Sequence, residues 1–109
     1  MVVDLLASSG SGPVWGIASA DLNATLLVWP PGHVIAEHRN DERDVLLVTV
    51  EGSMDAVVGG RTHHLSRASA LLIDKGTRRT LLAGPNGVRY LSIHLRRGPL
   101  QIEPAPQPE

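Results

Sequence analysis

Five histidines, at positions 33, 38, 63, 64 and 94, are the residues of this chain best suited to chemistry near neutral pH. An imidazole titrates near pH 6.5, so any of them could move a proton or ligate a metal. Their spacing separates them. His63 and His64 are neighbours on a predicted strand, face opposite sides and cannot converge on one ion. His94 stands in Tyr90-Leu91-Ser92-Ile93-His94, where period two puts Tyr90, Ser92 and His94 on one face. If that face looks inward, His94 can serve as a ligand; otherwise it is a hydrogen-bonded residue at a sheet or subunit surface. His33 follows Pro31-Gly32 at a strand entry and is expected to be exposed. The charged turn Arg39-Asn40-Asp41-Glu42-Arg43-Asp44 lacks the alternating oxygens and central glycine of a calcium loop and reads as a solvated turn. Lys75-Gly76-Thr77-Arg78-Arg79 is too short, and too poor in aromatics, to suggest nucleic acid. Arg96-Arg97 reads as a charged strand edge. No phosphate loop, Ser-x-x-Lys pair or nucleophile elbow occurs.

The bulk numbers narrow the classes further. The 109 residues suffice for one core. They are 42% hydrophobic and 19% charged with net charge −1, which fits a soluble globular domain and argues against a nucleic-acid partner. Absence of cysteine removes disulfides, thiolate metal sites and a cysteine nucleophile. Absence of phenylalanine leaves Val, Leu, Ile and Ala to build the core. No apolar run nears the roughly 20 residues that cross a bilayer. Met1 to Ala7 is short, carries an acid and lacks a basic leader, so a cytoplasmic location is expected. Asn23-Ala24-Thr25 fits a glycosylation sequon, which matters only in a secreted protein.

These side chains are held by strands. Short runs rich in Val, Leu and Ile, broken every 8 to 12 residues by turn residues, predict an all-β sandwich or barrel. Strands are expected near Val14 to Ser19, Ala24 to Trp29, Val34 to Arg39, Val45 to Val50, Met54 to Val58, Thr62 to Leu65, Ala70 to Ile73, Arg79 to Ala83 and Val88 to Leu95. Gly59-Gly60 marks a two-residue hairpin, since both turn positions need positive φ. Residues 1–12 form an N-terminal segment and connector, 13–102 the barrel, and 103–109, with three prolines, an extended tail. Met1 to Ala7 could add a helical turn or an edge strand.

From Trp29 to about Arg97 the chain resembles a cupin, an antiparallel jelly roll or double-stranded β-helix. The first signature of that family is Pro-Gly, five residues, His-x-His, a few residues, an acid, then a glycine. Here it reads Pro31-Gly32, His33 to Glu37, His38-Arg39-Asn40, Asp44 and Gly52. The second reads Ala68-Ser69, Ala70-Leu71-Leu72-Ile73, Asp74-Lys75-Gly76, Thr77-Arg78-Arg79. The resemblance places the family's metal ligands at His38, Asn40, Asp44 and Arg79, and it implies a homodimer.

Only His38 and Asp44 are good ligands among those four. An Asn oxygen is a weak donor, and a guanidinium stays protonated and repels a cation. The chemistry therefore points to a barrel without the usual metal. If Arg79 faces inward it needs a counter-ion, and a bidentate pair with Asp44 would leave His38 and Asn40 lining the pocket; the alternative is a pair with Asp74 or solvent at the mouth. Three functions follow. The barrel binds a small, anionic molecule through His38, Asn40, Asp44, Arg79 and His94, with no cofactor. Alternatively it is an enzyme: an oxygenase or isomerase holding a divalent transition metal on His38, Asp44 and His94, or a metal-free catalyst with His38 as general acid or base. The third is an assembly role for a barrel filled by side chains.

Overall fold

The computed structural model describes residues 1–96; the expected tail at 103–109, the last residues of the expected barrel and Arg97 lie outside the described residues. It is all-β, with seven strands: β1 (Gly12–Ala18), β2 (Leu22–Trp29), β3 (Val34–His38), β4 (Val45–Val58), β5 (Arg61–Leu65), β6 (Ala70–Ile73) and β7 (Arg79–Leu95). All pairings are antiparallel, in the order β1-β2-β7-β4-β5, with β3 added to β7 and β6 to β4.

Two strands are longer than the sequence pattern suggested. Val45 to Val50 and Met54 to Val58 are halves of β4, and Arg79 to Ala83 and Val88 to Leu95 are halves of β7. The turn residues between them bend the strands without ending them. Gly52 has φ 74° and Gly87 φ 78°, and the β4–β7 register shifts between Thr49 and Glu51 and again between Gly52 and Met54. Such bulges let paired strands fold over together. One half of the β4–β7 pair then joins β1, β2 and β6, the other joins β3 and β5, and the two halves close into a jelly roll.

Alternation along the strands fills the interior with Val45, Leu47, Met54, Ala56, Leu65, Ile73, Leu81, Ala83, Val88 and Tyr90. Each large side chain so buried contributes about 1.5–3 kcal/mol. Thr49 is a buried polar residue on the same strand: its hydroxyl donates toward the Ser66 carbonyl and accepts from the Ser69 amide at 3.0 Å, which pins the loop before β6. The Gly59-Gly60 turn between β4 and β5 has positive φ at both residues, as a twist-matched hairpin requires. The N-terminal segment makes a single turn in which the Ala7 amide donates to the Asp4 carbonyl (3.1 Å), and it adds no strand to the sheet.

The outer face of the β1-β2-β7-β4-β6 half is unusual. The register aligns Ile17, Ala24, Ile93, Leu46 and Leu72 in one row across five strands, and Trp15, Leu26, Leu91, Val48 and Ala70 in the next. The N-terminal segment reaches this face at Arg89, whose Nη1 donates to the Leu5 carbonyl (2.9 Å). Among the described residues no helix is long and apolar enough to cross a membrane.

Candidate functional site: the barrel mouth

Asp44, just before β4, accepts a hydrogen bond from the Lys75 amide (2.8 Å), and the Asn40 carbonyl accepts one from Gly76 (2.7 Å). The starts of β4 and β7 therefore share one end of the barrel, opposite the bends at Gly52 and Gly87. Here β3 lies beside β7 with His38 and Arg79 as direct cross-strand partners, their side chains on one face. That face is the interior, because Leu81 and Ile35, the next inward pair, pack in the core.

Arg79 is only 7% exposed. Among the described residues its side chain has no hydrogen bond or ion pair, and its Nε is buried without a partner. Burial pulls its guanidinium below the ordinary range, an effect opposed by attraction to ionised Tyr90. The expected pair with Asp44 does not form. Asp44 is exposed and occupied with the Lys75 amide, and the next residue, Val45, is the one that turns inward, at 1% exposure. No pair with Asp74 replaces it among the described residues.

Asn40 is a turn residue and does not line the pocket. Its Oδ1 accepts from the amides of Glu42 (3.0 Å) and Arg43 (3.1 Å), an arrangement that closes the β3–β4 connection. His38 is exposed at the rim, where its Nδ1 donates to the Ala36 carbonyl (3.1 Å) and leaves Nε2 able to accept a proton or a hydrogen bond. It also borders an open cleft of about 210 Å³ with Glu37, Arg39 and Arg78.

His94 shares the inner face with Tyr90, but both of its ring nitrogens are engaged. Nδ1 lies 2.9 Å from the Leu95 carbonyl and must donate to it, so Nε2 is the acceptor for the Asn23 amide at 3.2 Å. His94 thus has no lone pair left for an ion. Among the described residues no three His, Asp or Glu side chains gather where they could hold a metal. The set His38, Asp44 and His94 is not assembled, and the inward positions hold Val45 and Arg79. A valine offers no donor and a guanidinium repels a cation, so these residues do not fit the metal centre that the fold implies.

Two side chains whose polar atoms the sequence pattern does not single out, Trp29 and Tyr90, belong to this interior. Trp29, in register with Val88, lies diagonally from Tyr90 on the same face. Its indole Nε1 is buried without a hydrogen-bond partner, facing the Tyr90 hydroxyl but not completing a bond to it. Burial raises the Tyr90 phenol above its ordinary range, against the influence of Trp29 and Arg79, which lower it. His33, expected in solvent, is half-buried and stacks on Trp29 with centroids 4.0 Å apart, because the Pro30 to Gly32 turn folds it back. Of the adjacent pair, His63 faces inward beside Ala56, and His64 faces out, 2.7 Å from Asp55.

A bent jelly roll with inward residues from β3, β4 and β7 at one mouth is the cupin fold. No protein-family model matches the sequence, and no curated protein does. Solved structures do. KdgF from a Halomonas species is similar over 78% of this chain and 78% of its own, with 20% identity and a TM-score of 0.71. TT1209 from Thermus thermophilus is similar over 88% and 97%, with 18% identity and a TM-score of 0.76. A cupin-2 domain protein from Shewanella frigidimarina is similar over 73% and 76%, with 16% identity and a TM-score of 0.65. Likeness at such identities establishes the fold and leaves ligand and activity to the site.

Proposed function

We propose that this small cupin-fold protein binds a small anionic molecule at the barrel mouth without a metal ion. The observation that carries the reading is Arg79: an arginine only 7% exposed, with no counter-ion among the described residues and a buried, unpartnered Nε. A buried cation left so is costly, and an anion entering beside it supplies both the charge and the acceptors. His38, its cross-strand neighbour, offers a free Nε2 at the rim as a second polar contact. The functional unit in this reading is a cytoplasmic homodimer, joined through the apolar outer face of β1, β2, β7, β4 and β6.

Calorimetry on purified protein, with metal content measured on the same sample and an EDTA-treated control, tests the binding reading. Small anions are expected to bind equally well before and after chelation, and Arg79→Met is expected to abolish the heat. Stoichiometric zinc, iron, manganese or nickel whose removal abolishes binding would reject it.

A further inference from the structure

The sheet built from β3, β7, β4 and β5 turns only basic ionisable side chains inward. Its rim row runs His38, Arg79, Val58, Arg61, each residue the direct cross-strand partner of the next, so all four side chains rise from one face. The row below it runs Ile35, Leu81, Ala56, His63. That face is inward, since Leu81 and Ala56 belong to the core and Val58 packs against it. At the same end of the barrel the facing sheet turns Asn23, His94, Val45 and Ile73 inward. Two permanent positive charges and three imidazoles therefore line the mouth and the interior behind it.

No carboxylate among the described residues answers them. On the strands, Glu51 stands opposite Arg89 on the outer face, Asp55 turns out to His64 (2.7 Å), and the exposed Glu37 reaches Arg78 (3.7 Å). In the loops at this end, Asp41 is held by Arg39 (2.8 Å), Glu42 lies 3.8 Å from Arg43, and Asp44 accepts from the Lys75 amide (2.8 Å). Asp74 is exposed and pairs with neither inward guanidinium. Arg61 is exposed, and like that of Arg79 its side chain has no hydrogen bond or ion pair among the described residues. Two unanswered guanidinia on one row match a dianion.

Their spacing narrows its shape. Arg79 and Arg61 stand two strands apart, so their Cα atoms are separated by about 10 Å, and the residue between them is the apolar Val58. A compact dianion such as phosphate would draw both arms together over Val58 and set like charges side by side. An elongated one gives each planar fork its own carboxylate and lays hydrocarbon on the valine.

We propose that the barrel mouth receives an aliphatic dicarboxylate, one carboxylate on Arg79 with His38 beside it, the other on Arg61, and the hydrocarbon chain across Val58. The proposal rests on the binding reading above and specifies its ligand. Arg61, outside both signatures, is then a binding residue.

Calorimetry on the full chain tests this with succinate, glutarate and adipate, with valerate as the single-headed counterpart of glutarate, and with inorganic phosphate as the compact dianion. At least one dicarboxylate is expected to bind more tightly than valerate and phosphate, by about tenfold or more. Arg61→Met should weaken that dicarboxylate by about tenfold or more and leave valerate unchanged, because it removes only the second contact. Arg61→Lys should recover part of the loss, and Arg79→Met should weaken dicarboxylate and valerate alike. Arg67→Met, in the exposed loop between β5 and β6, should change neither. Valerate or phosphate binding as tight as the best dicarboxylate overturns the dicarboxylate assignment and leaves the binding reading intact. An Arg61→Met protein that keeps its dicarboxylate affinity does the same. Failure of every probe, across a wider set of small anions as well, brings down both.

Discussion

His38 and Arg79 face each other directly across the β3–β7 ladder, one exposed at the rim and the other sealed inside it, with no acid between them. A cation in that position is there at the expense of stability. Replacing Arg79 with methionine keeps the volume and removes the charge, so folding stability should rise by about 1–3 kcal/mol, the range seen when buried charges give way to apolar side chains. In a domain of this size that raises melting by about 4–8 °C per kcal/mol. Thermal unfolding followed by circular dichroism checks the sign. A large loss of stability would mean that Arg79 has a partner after all.

Tyr90 is the single tyrosine, so absorbance near 295 nm titrates it alone. Its phenol should ionise above the usual value of about 10, because burial disfavours the charged form. Folding then binds the proton more tightly than the unfolded chain does, and stability should fall as pH rises from about 10 toward the folded value. Arg79 and Trp29 both lower this pKa, so Arg79→Met and Trp29→Phe should each push the ionisation higher still. Ionisation at or below the ordinary phenol range would show that water reaches the hydroxyl freely.

Much of the scaffold was legible because period-two alternation and turn residues report directly on strands. Ala70–Ile73 appears as a strand with the expected bounds, and Gly59-Gly60 turns as its glycines require. The joined halves of β4 and β7 were not legible, since a glycine that bends a paired strand looks in sequence like one that ends it. At the site the family signature and the strand period disagree by one residue. The signature puts the acid at Asp44, yet the alternation Val45, Leu47, Thr49 marks Val45 as the inward residue and Asp44 as outward. Arg79 faces inward, as its place in the second signature suggested. The orphaned Nε1 of Trp29 leaves no trace in the sequence, because it depends on how two halves of a barrel meet.

The bend that brings those halves together depends on Gly52. A Cβ there would run into the Gly87 carbonyl oxygen, and φ of 74° is unfavourable for any other residue. Gly52→Ala should cost about 1–2 kcal/mol for the backbone and about 1–3 kcal/mol more for the overlap. Gly60 has φ 84° but nothing within 4 Å of a built Cβ, so Gly60→Ala should show the backbone cost alone. Urea melts of both variants separate the two terms; equal losses would mean that the bend tolerates a side chain.

The outer apolar rows point to a last experiment. A half-buried antiparallel sheet ordinarily turns polar residues outward, yet here Leu72 is 59% exposed and Leu95 63%, with Ile17 and Leu22 also uncovered. A second copy using the same face in a two-fold arrangement covers both surfaces at once. Light scattering at micromolar concentration should therefore give twice the monomer mass. Leu72→Glu should halve it while leaving the circular dichroism spectrum unchanged, because an exposed side chain in a monomer costs little when exchanged. A wild-type monomer at that concentration would show that the face stays open to water.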